Sequence, residues 1–201
     1  MRQSRDRGFN RGVVLFAAAA FLFFAAGCQT VNLNPAVTGT SCASRADCLK
    51  DLKLPAPASP RYVFVVAPYT FNEATKGALG TSFGTIYRGD MDLCVANALA
   101  REFDGMARVV FDSKGLTGPY AVITIKKADL LSPYTMGWSM RIDYMLSYGG
   151  KSVPMTAKTG TENFLDPDQA ARTQYLAACD ILARQVKENL VRENSGSAGA
   201  D

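Results

Sequence analysis

The sequence predicts an α+β fold, a two-layer sandwich in which two helices cover one face of a mixed sheet of about five strands. Three patterns carry this prediction. Residues 61–67 contain an uninterrupted run of β-branched and aromatic side chains, which is typical of a central strand covered on both faces. Residues 138–148 alternate between apolar and polar, as in an antiparallel strand with one buried face. Residues 90–105 and 166–190 repeat apolar side chains with the period of a helix.

In the first half of the domain, Pro68 ends the first strand. Residues 69–89 carry four glycines among aromatic side chains, and we predict a long irregular connection with one helical turn. Asp90 is the expected N-cap of the first helix, and Gly105 lies near its C-terminal end. Two short strands rich in β-forming side chains follow, at 107–111 and 120–126.

A hairpin and a helix complete the predicted domain. The Gly-Gly pair at 149–150 supplies the positive φ angles of a two-residue turn, and a returning strand follows at 151–160. Pro154 cannot donate a ladder hydrogen bond, so the returning strand is expected at an edge of the sheet. Asp166 is the expected N-cap of the last helix, with Pro167 at its first position.

The N-terminus has the three parts of a secretory signal peptide. Four arginines, at positions 2, 5, 7 and 11, precede an apolar stretch from Val13 to Ala26, and small residues lead into Cys28. The apolar stretch is about 14 residues long, whereas a membrane-spanning helix needs about 20, so a permanent helical anchor is not expected. An ordinary signal peptide with an incidental cysteine is the alternative.

The end of this stretch, Ala25-Ala26-Gly27-Cys28, resembles the lipobox of bacterial lipoproteins, although most lipoboxes carry leucine where Ala25 stands. The resemblance implies that Cys28 is acylated and becomes the first residue of the mature protein. Gln29 follows it, in place of the aspartate that usually retains enteric-type lipoproteins in the inner membrane. The resemblance therefore implies an outer-membrane protein, anchored by its lipid, with the domain facing the periplasm.

The chain then divides into four parts. Residues 1–27 are the predicted lipoprotein signal peptide. Residues 28–60 contain several prolines and few large apolar residues, so they are predicted to be a tether. The α+β domain is expected over 61–193, followed by a flexible tail at 194–201.

Composition excludes several classes of function. The chain has no histidine, which excludes Ser-His-Asp and Cys-His nucleophiles and histidine-containing zinc sites. Without residues 1–27 the net charge falls from +4 to +1, so nucleic-acid binding is not expected. The glycines at 77–84 lack the pattern of a nucleotide-binding loop. We expect no enzyme activity, no cofactor and no metal, because the acidic candidates for acid–base chemistry are scattered: Asp90, Asp92, Asp129, Asp143 and Glu162.

Four cysteines remain beside Cys28, and an even number in an oxidising compartment suggests two disulfides. Cys42 and Cys48 lie close in sequence and are expected to close a small loop. Cys94 and Cys179 then pair by elimination, each on the apolar stripe of one helix. Buried free thiols at Cys94 and Cys179 are one alternative, and a zinc site of all four thiolates is another.

The aromatic and glycine-rich segment at 69–87 is the part of the domain that the predicted fold does not require. We hypothesise that it carries a contact surface for an envelope protein, since rigid aromatic side chains dominate interface energetics. The candidate anchors are Tyr69, Phe71, Phe83 and Tyr87. The alternative is that these rings fold back over the edge of the sheet.

The element order over residues 61–192, the valine-rich first strand and the Gly-Gly hairpin resemble the small envelope-lipoprotein domains related to the N-terminal domain of TolB. This group includes CsgG, the penicillin-binding-protein activator lipoproteins and the YajG-type lipoproteins, and no site residue is carried over from it. Two function classes remain. The first is a lipid-anchored, non-catalytic module that docks on a larger envelope machine or supports its assembly. The alternative is a periplasmic carrier for a small apolar or glycan ligand.

Overall fold

Ten strands and two helices follow one another along the residues that the structure describes, which confirms the α+β class. The structure is a computed structural model, and it describes residues 29–33, 52, 54–74, 76–77, 85–132, 137–163 and 166–197. The elements are β1 (Gln29–Asn32), β2 (Tyr62–Val66), β3 (Thr70–Ala74), β4 (Lys76–Gly77), β5 (Thr85–Asp90), α1 (Met91–Glu102), β6 (Ala107–Val110), β7 (Ala121–Ser132), β8 (Gly137–Tyr148), β9 (Lys151–Lys158), β10 (Glu162–Asn163) and α2 (Pro167–Ser197).

The main sheet contains the five predicted strands, which are β2, β6, β7, β8 and β9, together with the two-residue strands β4 and β10. Strand β2 is central and runs parallel to both β6 and β7, whereas β7, β8 and β9 pair in antiparallel order. The predicted hairpin is confirmed, since Gly149 and Gly150 have φ angles of 54° and 76°. Pro154 lies on β9, which pairs only with β8 among the described strands, so its predicted edge position is confirmed.

Both helices cover the same face of this sheet. Helix α1 packs over β2 and β6, and α2 packs over β8 and β9. Phe64, Ile123 and Leu146 point from the sheet into this layer, and each is 0% exposed. The helices are neighbours, and the Lys187 Nζ of α2 donates a hydrogen bond of 2.8 Å to the carbonyl oxygen of Glu102 at the end of α1.

In its described residues, 69–74, 76–77 and 85–89, the segment at 69–89 is not the irregular connection that the sequence predicts. It contains β3, β4 and β5, and β5 is the middle strand of a second, three-stranded sheet with order β1-β5-β3. In β3 the exposed Thr70 and Asn72 flank the buried Phe71, and in β5 the exposed Arg88 separates the buried Tyr87 and Gly89. This period-two alternation is the signature of a half-buried strand, but each run is too short to stand out among the glycines.

The prediction of a tether over 28–60 is wrong at residues 29–32, which form strand β1. Residues Gln29–Asn32 pair in parallel with β5. Val31 and the following Leu33 are only 5% and 1% exposed and belong to the core. The folded domain therefore includes the residues directly after Cys28, and 29–33 are not part of a tether. The strand carries no sequence signal, because its four residues are mostly polar and its partner is distant in the chain.

Helix α2 begins as predicted and ends later. The carboxylate of Asp166 accepts hydrogen bonds from the backbone N–H groups of Asp168 and Gln169, at 2.9 and 3.2 Å, which is the geometry of an N-cap. The helix continues to Ser197, four residues into the predicted tail at 194–201. In the described part of the chain, no helix is long and apolar enough to cross a membrane.

We expect Asp166→Ala to lower the free energy of unfolding by about 0.5–2 kcal/mol, because two N–H groups at the start of α2 lose their acceptor. Urea unfolding followed by circular dichroism measures the change. Glu188→Ala, on the exposed side of the same helix, is the control and should leave stability nearly unchanged. Equal stability of the two variants would contradict the capping role.

Candidate functional site

Two of the predicted aromatic anchors are core residues. Phe71 and Tyr87 are 1% and 2% exposed. The Phe71 ring lies 6.2 Å from that of Tyr175 on α2, and the Tyr87 ring lies 6.0 Å from that of Trp138 on β8. The hypothesis that these two side chains contact a partner is therefore wrong. They join the small sheet to the main body of the fold, and Phe83 lies outside the described residues.

Tyr69, the third described anchor, has a structural role as well. It is half-buried, and its hydroxyl oxygen accepts a hydrogen bond of 3.1 Å from the backbone N–H of Ala128. Strand β7 has a bulge between Ile125 and Lys127, and β2 no longer pairs with β7 beyond Ile123. Tyr69 thus supplies an acceptor to an amide that the strand ladder leaves without one.

The Tyr87 hydroxyl links the small sheet to the start of α2. It donates a hydrogen bond of 3.3 Å to the Oδ1 atom of Asp168. Burial raises the pKa of Tyr87 to about 12, with a further contribution from the Asp168 carboxylate. The group is neutral at physiological pH and acts as a hydrogen-bond donor.

Helices α1 and α2 bring Cys94 and Cys179 together, as the sequence predicts. The two thiols are hydrogen-bonded to each other and are 3% and 0% exposed. Both are free in the structure, so the predicted disulfide between them is absent there. Burial, and then the hydrogen bond with Cys94, hold the pKa of the Cys179 thiol well above its usual value. Cys28, Cys42 and Cys48 lie outside the described residues.

We expect Cys94 and Cys179 to resist alkylation by iodoacetamide in the native protein, because a buried neutral thiol is a poor nucleophile. Both should react in denaturant without a reductant if they are free thiols, as in the structure. Peptide mass spectrometry separates these states from an oxidised pair, which reacts only after reduction. Rapid labelling of the native protein would contradict the burial.

The Tyr175 hydroxyl lies deep in the core, against Gly89 of β5 and near Asp92, and Tyr175 and Asp92 are both 0% exposed. The Tyr175 hydroxyl and the Oε1 atom of the preceding Gln174 have no hydrogen-bond partner in the structure. Burial, followed by the nearby Cys94 and Cys179, raises the pKa of Tyr175 well above its usual value. Within the described ranges, no cluster of three or more metal-ligating side chains occurs.

The face of the main sheet opposite the helices is the remaining candidate surface. Val65 of β2 lies between Val110 of β6 and Val122 of β7 in register, and all three are outside the helix-side core. We call this row, with Val63 of β2 and Met145 of β8, the valine face. Val65 is 7% exposed, and the other four side chains are half-buried.

Several charged side chains beside the valine face are paired with one another, whereas Arg108, in register with Val63, is exposed. The Asp143 carboxylate accepts hydrogen bonds from Thr156 at 2.7 Å and from Arg141 at 3.0 Å. The hydrogen bond from Thr156, and then Arg141, lower the pKa of Asp143. Lys127 pairs with the carboxylate of Asp129 at 2.6 Å. The result is an apolar centre with charged side chains at its border, which is the usual anatomy of a protein interface.

The sequence contains a signal for the valine face in strand β2. An uninterrupted apolar run there predicts cover on both faces, yet the two described helices cover one. The second apolar face therefore comes from the residues at 61–67, and not from the segment at 69–87.

No family model and no curated protein matches this chain. Among solved structures, it is similar to an uncharacterized protein at 11% identity and a TM-score of 0.43, over 67% of this chain and 92% of the other. A Xanthomonas campestris protein of the DUF330 family has 13% identity and a TM-score of 0.44, over 72% and 94% of the two chains. A PelC dodecamer from Paraburkholderia phytofirmans has 13% identity and a TM-score of 0.33, over 64% and 91%. The resemblance to the TolB, CsgG and YajG groups stays a prediction.

Proposed function

We propose that this protein is an outer-membrane lipoprotein, acylated at Cys28, whose domain is a non-catalytic module that docks on a larger envelope assembly. The signal-like N-terminus and the Ala-Ala-Gly-Cys sequence support the anchor. The position of β1 supports the cleavage site, because the folded domain includes the residues that directly follow Cys28. The domain would begin where signal removal leaves the mature chain.

The valine face is the observation that carries the docking role. Strand β2 has the composition of a strand covered on both faces, and the two helices in the described part of the chain cover only one of them. A protein partner would supply the second layer and remove the half-buried valines from water.

Three of the acidic side chains considered for acid–base chemistry have structural partners, which supports a non-catalytic role. Asp143 accepts hydrogen bonds from Thr156 and Arg141, Asp129 pairs with Lys127, and Asp90 accepts a hydrogen bond of 3.2 Å from the Thr70 hydroxyl. The chain also has no histidine, the commonest general acid–base residue. These observations favour a binding module over a hydrolase.

We expect Cys28→Ala to move the protein from the membrane pellet to the soluble fraction and to abolish the acyl mass at the mature N-terminus. Stable anchoring depends on the attached acyl chains, since the described helices cannot span a bilayer. Intact mass spectrometry and membrane fractionation measure both effects. Cys48→Ala is the matched control and should stay in the pellet. An unmodified Cys28 in the wild-type protein, or a Cys28→Ala protein that remains in the membrane, would overturn the anchor.

The docking role is tested by the partner that crosslinks to the protein in native envelope membranes. Val122→Asp places a charge in the valine face and is expected to remove most of the crosslinked product. Thr173→Asp adds the same charge on the exposed side of α2 and should leave the product unchanged. Thermal melts must show that both variants are folded. Equal crosslinking of both variants would place the interface elsewhere.

A further inference from the structure

The N-terminal strand puts the proposed lipid directly beside the folded domain. Gln29 pairs with Thr85 at the start of β5. Consecutive Cα atoms are about 3.8 Å apart, so the Cα atom of Cys28 lies within one residue of the small sheet. An acylated Cys28 would therefore hold this part of the domain at the bilayer surface. This inference rests on the proposed acylation.

Several other elements meet at the same end of the domain. Strand β3 is antiparallel to β5 and ends there, since Ala74 pairs with Ile86. The Tyr87 ring lies 6.0 Å from Trp138, near the start of β8, and its hydroxyl contacts Asp168 in the first turn of α2. We call this the anchor end, defined by Gln29, Thr85, Trp138 and the first turn of α2.

The Gly149–Gly150 turn marks the opposite end. Strand β8 runs from Gly137 to Tyr148. At about 3.4 Å per residue, it carries the chain about 34 Å from Trp138 to Tyr148. Lys151 pairs with Tyr148 across the turn and is exposed. The two ends are therefore far enough apart to be distinguished by a probe in the membrane.

The geometry points to a fixed orientation in which the anchor end rests on the lipid headgroups and the Gly149–Gly150 turn points away from the membrane. The surface at the anchor end then takes a lipid bilayer as its partner. The buried side chains of Val31 and Leu33 hold β1 in place, so the strand does not act as a slack tether. The long β8 strand would stand away from the bilayer and not lie flat on it.

Trp138 is the only tryptophan of the chain and reports on this orientation. The acylated protein is extracted from membranes, checked by intact mass spectrometry and reconstituted into phosphatidylcholine vesicles that carry an energy acceptor on the lipid headgroup. We expect strong energy transfer from Trp138 to the acceptor. The matched control combines Trp138→Phe with Lys151→Trp, which moves the donor to the far end, and should show several-fold weaker transfer.

A second variant tests whether β1 holds the domain down. Leu33→Asp, in the presence of Trp138, should release β1 and reduce energy transfer although the acyl mass is intact and the melt still shows a folded protein. Weak transfer from both donor positions in acylated protein, or stronger transfer from position 151, would overturn the orientation but not the anchor. Absence of the acyl mass would overturn the proposed function and this inference with it.

Discussion

Replacing Phe71 with alanine is expected to lower the free energy of unfolding by about 3–5 kcal/mol, the range for a buried aromatic side chain. Phe71 is 1% exposed and its ring packs at 6.2 Å from the buried Tyr175. Its loss would leave a cavity between the small sheet and α2, which a close-packed interior cannot fully close. Urea unfolding followed by fluorescence of Trp138 measures the change.

The exposed neighbour Asn72 provides the control for Phe71. Asn72→Ala, in the same strand, should change stability by less than about 0.5 kcal/mol, because surface substitutions rarely matter more. The comparison separates the two roles considered for this segment. A Phe71→Ala protein as stable as Asn72→Ala would restore Phe71 as a surface contact and contradict the observed burial.

Gly89→Ala should lower the free energy of unfolding by about 1–3 kcal/mol, the usual cost of overpacking a core. A Cβ atom built on Gly89 would lie 2.8 Å from the Tyr175 hydroxyl oxygen, 3.0 Å from its Cζ atom and 3.3 Å from the Leu33 Cβ atom. Tyr175 is 0% exposed, so its ring cannot move aside into solvent. Thermal and urea unfolding both report this effect.

Two further variants make the Gly89 result specific. Gly160→Ala adds the same methyl group where no atom lies within 4 Å, and it should be nearly neutral. Tyr175→Phe removes a buried hydroxyl without a hydrogen-bond partner in the structure, so it should match or exceed wild-type stability. In the double variant, the cost of Gly89→Ala should fall, since the closest clashing atom is gone. Simple additivity of the two changes would contradict this contact.

The elements with strong local patterns could be predicted from the sequence. The uninterrupted run in β2, the alternation in β8 and the glycine pair at 149–150 each specify a local structure that the whole fold preserves. The Asp166 cap could be predicted for the same reason, because its acceptor and donors are two or three residues apart. Such patterns predict structure correctly where the local conformational preference of a segment agrees with its place in the whole fold.

The small sheet could not be predicted, because its pairing is non-local and its strands are short. Gln29 pairs with Thr85, and nothing in four mostly polar residues indicates that partner. For the same reason the sequence could not show which side of the fold Phe71 and Tyr87 occupy. An aromatic residue type favours burial and binding alike, and only the alternation within β3 and β5 separates them.

The sequence indicated part of the candidate surface. The apolar run at 62–66 predicts that both faces of β2 are apolar, and the pairing of Val65 with Val110 and Val122 shows a continuous apolar row on the second face. The placement of both helices on one face of the sheet was also predicted, and the contacts between α1 and α2 agree with it. What the sequence did not indicate is that the two described helices leave the second apolar face of β2 without helical cover.

The parallel pairing of β1 with β5 also has a mechanical consequence. If Cys28 carries the lipid, any force between the membrane and a bound partner enters the domain through the N-terminal end of β1. A pull along that strand loads its hydrogen bonds to β5 in shear, so that they resist together and do not open one after another. Val31 and Leu33 would have to leave the core in the same step. The first strand of the fold would then transmit mechanical force between the membrane and the assembly.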